Sequence, residues 1–167
     1  KALLESDTGF SRDNWRAFAE LGWTALPFSE ADGGIGGNAV DTMIVLEELG
    51  KGLVLEPFLM GVIFAGGLLR RADAKTKAKH LPQLIGGESI YTVAYAEPSA
   101  RFDLFHVETA AKKKGTGYVL NGKKLAVMGG NAADVLIVAA RTSGSTRDKS
   151  GVTLFAVDAK QPGVKRV

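Results

Sequence analysis

The hydrophobic pattern of this chain changes period once, near Gly86-Gly87. Before that point apolar residues recur at helical spacing. In RDNWRAFAELGW, Trp15, Phe18 and Leu21 fall three apart, and Gly22 stands where a helix C-cap belongs. Asn38 is placed to cap a second helix, AVDTMIVLEELG, in which Val40, Met43 and Ile44 share a face and Gly50 ends the segment. Pro57 suits the first turn of a third helix with apolar residues on nearly every side. Asp73 predicts the cap of a fourth, which runs through Lys75, Lys77 and Lys79 to Gly86-Gly87. Pro82 within it predicts a kink or an early end.

From Ile90 onward the pattern reads as strands. Residues 90–95 form an apolar run, and YVLNGKKLAV sets Asn121-Gly122 between two more, a strong hairpin signal. Residues 135–140 and 152–157 predict further strands. Lys112-Lys113-Lys114-Gly115 and residues 142–150 read as polar turns, the second of them mobile. Helices come first and strands follow, without strand–helix–strand alternation. The expected fold class is therefore α+β, with a helical domain in residues 1–89 and an antiparallel β-domain in residues 90–167.

Composition narrows the class. A length of 167 residues, 46% hydrophobic and 23% charged, suits a globular chain of one domain or two small lobes. The absence of cysteine excludes disulfides, thiolate metal sites and thiol catalysis, and fits a cytoplasmic protein. The opening KALLESDTGF lacks the order of a signal peptide. The longest apolar run, 57–69, contains three glycines and is shorter than the ~20 residues of a membrane span, so a buried helix is expected. Charge is uneven: residues 1–89 balance to −3 and residues 90–167 to +6. Such a basic half suits phosphate groups or a merely solvated surface. No aromatic interleaving points to nucleic acid.

Most motif candidates fail on context. Gly34-Ile35-Gly36-Gly37-Asn38-Ala39 matches a dinucleotide fingerprint, with Glu56 downstream, but a polar proline-bearing stretch precedes it where a buried strand is required. A flexible loop between helices is the better reading. His80 and His106 stand apart, without an acidic residue three or four positions further along the chain, so no metal site is expected. Nothing supports a Ser-His-Asp arrangement. The lysines 112–114 read as a solvated turn. What remains is AYAEPSARFDL, residues 94–104. Pro98 holds Glu97 extended and removes a ladder donor, so a strand must end there, with backbone groups free for a ligand or for an ordinary corner.

At these residues the chain resembles the acyl-CoA dehydrogenase family. LGWTALPFSEADGGIGG is similar to the family's N-terminal helical segment, and KAKHLPQLIGGE to the helix leading into its middle domain. AYAEPSARFDL stands where the family has a threonine-Glu-Pro segment, and YVLNGKKLAVMGGNAADVLIVAARTSG matches the strands that follow. The resemblance implies a helical N-terminal domain, a middle β-domain and a C-terminal helical domain that has no counterpart in these residues. It also implies FAD, an acyl-CoA thioester substrate, oxidation to the α,β-unsaturated product, and a homo- or hetero-oligomer. The flavin would lie against Ala94, Tyr95 and Ala96, with Ala126, Val127 and Met128 on the neighbouring strand. Phe102 would stand at a cofactor contact, and Arg101 and Phe102 at the substrate. The catalytic base would come from the C-terminal domain, leaving Glu97 a structural role. Three departures stand out: Ala96 replaces the family's threonine, Arg101-Phe102 its glycine-serine pair, and Ala126-Val127-Met128 its tryptophan-isoleucine-threonine. That pattern is similar to the small subunits of two-subunit acyl-CoA dehydrogenases. It raises a second expectation, a non-catalytic partner with a degenerate flavin site that shapes the CoA channel or the oligomer interface.

Overall fold

Local capping chemistry sets the helices of the computed structural model, which describes residues 6–167. Helix α1 (Arg12–Glu20) begins where the Ser11 hydroxyl accepts from Asn14 N, and Gly22 follows its end with φ +78°. Helix α2 (Ala39–Lys51) begins at a reciprocal box. Asn38 Oδ1 accepts from the amides of Val40 and Asp41, and Asp41 accepts from Asn38 N at 2.8 Å. A π-helical stretch, Phe58–Ala65, runs straight into α3 (Gly66–Leu69). Helix α4 (Ala74–Ile85) is capped by Asp73, which accepts from Thr76 N at 3.0 Å. Pro82 does not shorten it. The proline falls in the last turn, where its carbonyl still accepts from Gly86 N.

Two expectations for the helical half are corrected. Val40, Met43 and Ile44 do share a face of α2, but all three are at least half exposed, and the helix docks instead through Val45, Leu46 and Leu49. The glycine run at 34–37 is not a slack loop. A β-carbon at Gly34 would lie 2.2 Å from Phe28 O and one at Gly37 2.7 Å from Leu26 O, so two backbones pass in near contact there. Close packing explains these glycines without a phosphate.

The main core unites both halves. Trp15, Phe28, Phe58, Leu81 and Leu84 from the helical half pack with Ile90, Tyr91, Val93 and Ile137. Tyr91, fully buried, lies within hydrogen-bond distance of His80 Nδ1 (3.1 Å) and of Gln83 Oε1 (3.3 Å). Burial, aided by the Asp134 charge, pushes its phenol up to about 12. Asp134 bridges the halves, accepting from Ile90 N at 3.0 Å and facing Arg12 at 3.4 Å.

The strands are β1 (Tyr91–Ala94), β2 (Ala110–Lys114), β3 (Gly117–Asn121), β4 (Val135–Arg141) and β5 (Val152–Asp158). The division into a helical half and a β half is as expected, but the sheet is mixed rather than antiparallel. Strand β4 is central: β5 pairs antiparallel along its whole length, and β1 runs parallel to it from Tyr91↔Val135 to Ala94↔Val138. A single parallel bridge, Ala110↔Arg141, ties β2 to the end of β4. The 40-residue passage from β1 to β4 lets the chain return in the same direction, whereas a tight turn forces antiparallel pairing.

The hairpin also lies elsewhere than Asn121-Gly122 predicts. Strands β2 and β3 pair from Ala110↔Asn121 to Lys114↔Gly117, so Gly115-Thr116 is the turn and the three lysines belong to a strand. Asn121 ends β3. Gly122 passes so close to Thr109 that a β-carbon would lie 2.4 Å from its hydroxyl.

Candidate functional site

Strand β1 stops at Ala94, and a polar clamp fixes the corner beyond it. Glu97, 3% exposed, turns its carboxylate inward. It accepts from Glu108 N (2.6 Å), Thr109 N (2.9 Å), Thr109 Oγ1 (2.6 Å) and Lys124 Nζ (2.7 Å). Burial alone pushes this carboxyl up, but donation from Lys124, Thr109 and the two amides outweighs it and holds the group at about 2. Burial pushes the Lys124 ammonium down, and Glu97 opposes that shift. Lys124 also reaches Tyr95 O at 3.3 Å, and Leu125 N donates to Ala96 O at 2.8 Å. Three stretches, 95–97, 108–109 and 124–125, thus meet at one buried carboxylate.

The residues singled out from sequence divide around this clamp. Ala94 is buried in the small core of the β half, with Leu136 and Val138. Tyr95 is half exposed, and Ala96 is tied to Leu125. Ala126, Val127 and Met128 do lie beside that strand end, but they form no strand, contrary to expectation. Ala126 has φ +49°, a left-handed conformation that breaks any ladder, and Met128 O accepts from the Thr92 hydroxyl at 2.7 Å instead of from a partner strand. Among the described residues, the amides of Ala126, Val127 and Met128 donate to no atom of the chain. Arg101 is exposed with φ +52°, and Phe102 beside it is 100% exposed. Among the described residues no hydrogen bond joins Arg101 or Phe102 to the 124–128 stretch.

Sequence reasoning missed two further clusters. His106 is buried, with Nε2 2.9 Å from Glu108 Oε1 and 3.0 Å from Ser99 Oγ, while Arg147 Nε donates to its Nδ1 at 3.2 Å. The acid lies two residues away, not three or four. In extended chain that is same-face spacing, and the alternation rule was the signal that could have found it. Arg141, also buried, donates only to carbonyls: Val107, Ser143, Ser150, Phe105, Thr146 and Asp148. Nothing in the sequence marks it. Among the described residues no group of three or more His, Asp or Glu could hold a metal ion, and no helix is long and apolar enough to cross a membrane.

The helical half leading into a mixed sheet, with a clamped corner beyond the first strand, has clear relatives. Residues 2–88 match the model of the acyl-CoA dehydrogenase N-terminal domain, and residues 92–166 that of the acyl-CoA dehydrogenase middle domain. The chain belongs to the acyl-CoA dehydrogenase family. Isovaleryl-CoA dehydrogenase, mitochondrial, of Pongo abelii is 33% identical over 156 residues, covering 91% of this chain and 37% of its own length. Among solved structures, the FAD complex of PigA superposes with a TM-score of 0.81 at 31% identity, over 92% of this chain and 41% of that one. The ChsE4-ChsE5 complex from Mycobacterium tuberculosis gives 0.79 at 29% identity, over 97% and 42%. The chain thus spans about two fifths of the length of these relatives.

Proposed function

We propose that residues 1–89 and 90–167 serve as the N-terminal and middle domains of an FAD-dependent acyl-CoA dehydrogenase, which introduces an α,β-double bond into an acyl-CoA thioester. One observation carries this reading. Three consecutive backbone amides without a partner among the described residues, at Ala126, Val127 and Met128, stand beside the strand end at Tyr95 and Ala96. Main-chain donors suit the carbonyl-bearing edge of a flavin and do not depend on the side chains that this sequence lacks. FAD, when bound, supplies the hydride acceptor. The chain's own part is to orient it: Lys124 and Leu125 fix the strand end, and Glu97 fixes Lys124. Glu97 does not take the substrate's α-proton, because four donors occupy its oxygens and hold it ionised. We assign that base to a further helical domain of the family. The exposed Arg101 guanidinium suits a pyrophosphate or a CoA phosphate, with Phe102 at the substrate. An oligomer with another subunit of the family and a cytoplasmic setting complete the reading.

A second reading has its own support. Ala96, Phe102 and Met128 lack the hydroxyls that the family resemblance implies at those positions, and Phe102 projects fully into solvent. Each lost hydroxyl would have contributed about 0.5–1.5 kcal/mol. Together they remove roughly one to three decades of FAD affinity. The chain is then a non-catalytic partner with a lapsed flavin site that shapes the CoA channel or the subunit interface.

Titration of FAD into the purified chain separates the two. Yellow, stoichiometric binding supports the flavin-bearing reading, and colourless protein supports the partner. Ala96→Thr combined with Phe102→Ser restores binding if the corner is a lapsed site.

A further inference from the structure

The hydrogen bonds around His106 fix its tautomer. Arginine only donates, so the 3.2 Å contact from Arg147 Nε requires a lone pair on Nδ1 and places the ring proton on Nε2. That proton points to Glu108 Oε1 at 2.9 Å and to Ser99 Oγ at 3.0 Å, while the Ser99 hydroxyl donates to the same Glu108 oxygen at 2.8 Å. Because Nε2 already carries its hydrogen, His106 cannot act as a base toward Ser99. The cluster is no hydrolytic site.

A second proton has one place to go, Nδ1, which the Arg147 N–H occupies. We propose that His106 and Arg147 form a proton-operated latch: neutral His106 holds Arg147 against the corner, and protonated His106 releases it. Two features make the protonated state accessible. Glu108 faces the ring from the opposite side, and its contact with His106, then that with Ser99, holds its carboxyl below the usual range, so it remains a counter-ion. Arg147 is exposed and can carry its charge into water.

The other charges nearby are fixed by their own partners. Glu97 is clamped by Lys124, and Asp103 caps Phe105 N at 2.9 Å on the turn before His106. Asp148 holds Ser145, Arg141 holds Phe105 O and Thr146 O, and Lys149 stands over the Phe105 ring at 5.9 Å. Arg141 keeps its contacts to Ser143, Thr146, Asp148 and Ser150 in either state, so the motion is confined to the Arg147 side chain. Glu108 joins the latch to the strand end. Its carboxylate holds His106, and its amide donates to Glu97.

The test is an NMR titration of the 167-residue chain from pH 8 to 5, following the Arg147 Nε–H and the His106 ring together. The Arg147 signal is expected to be protected at pH 8 and to lose protection at the midpoint of the His106 titration. In His106→Asn the protection of the Arg147 Nε–H, taken relative to its intrinsic exchange rate at each pH, becomes independent of pH. In Arg147→Met the His106 ring takes up its proton at a higher pH than in the parent, since a competing donor has gone. Protection of Arg147 that persists through the His106 titration overturns the latch. So does an unchanged or lower His106 midpoint in Arg147→Met, which decides the matter even if His106→Asn does not fold.

Discussion

Lys124 Nζ stands 2.7 Å from Glu97 Oε1, with the two side chains only 9% and 1% exposed. Each supplies the other's main compensation for leaving water, so neither is replaceable alone. Lys124→Met strands an ionised carboxylate and is expected to destabilise the chain by about 3–5 kcal/mol. Lys124→Met with Glu97→Gln recovers part of that loss. Urea denaturation of the three proteins measures both effects, and a single variant as stable as the parent contradicts the pair's role.

Acid acts in two stages. His80 is held below the ordinary histidine range by burial first and by the Lys79 charge second. The unfolded chain then binds a proton more readily than the folded one, so this contribution is complete above the unfolded value of 6.5 and is lost as pH falls through the folded value. Glu97 has the same sign at lower pH. Its contribution is complete above 4.5 and is lost as pH falls towards about 2. A pH series of thermal midpoints is expected to show two declines, and His80→Gln to abolish the first.

Arg141 holds six carbonyls from two stretches of chain, spread around a planar group. A lysine offers donors from one point and cannot span them. Arg141→Lys is therefore expected to loosen residues 142–151 at denaturant concentrations where the rest stays folded. Limited proteolysis followed by mass spectrometry checks where cleavage begins, and cleavage outside that loop counts against the prediction.

Gly122→Ala places a methyl group 2.4–2.7 Å from Thr109, which cannot retreat because Glu97 holds both its amide and its hydroxyl. A cost of roughly 1–3 kcal/mol is expected, as for other overpacked sites. Thr109→Ser does not relieve it, since the backbone Cα is equally close. Denaturation midpoints of the two variants and their combination provide the check.

Acyl-CoA oxidation by the 167-residue chain alone is expected to be undetectable. Its buried carboxylate at the corner is fully engaged, and losing a positioned base removes a factor of about 10²–10⁴ or more. Reduction of an artificial electron acceptor by the isolated chain with any acyl-CoA would refute this.

Local grammar carried much of this fold. Ser11, Asn38 and Asp73 cap helices by chemistry confined to four residues, and the apolar runs at β1, β4 and β5 are visible as runs. What escaped depends on distance along the chain. Nothing near Tyr91 announces Val135 as its parallel partner, and Asn121-Gly122 has the right residues for a tight turn in a place where Thr109 leaves no room. The candidate site shows the same division. Pro98 marked the strand end, but Lys124, Thr109 and Arg141 look like surface or strand residues until the chain closes on them.

The β2–β3 hairpin joins the rest of the sheet through one rung, Ala110↔Arg141, and its tip at Gly115 has open space around it. A pair of strands hung from one rung tolerates grafting. Residues inserted between Lys114 and Gly117 burden no ladder but their own, and each doubling of the loop costs only about 0.6 kcal/mol in closure entropy. The turn is thus a handle on which an epitope or a fluorophore can be mounted while the clamp at Glu97 stays undisturbed.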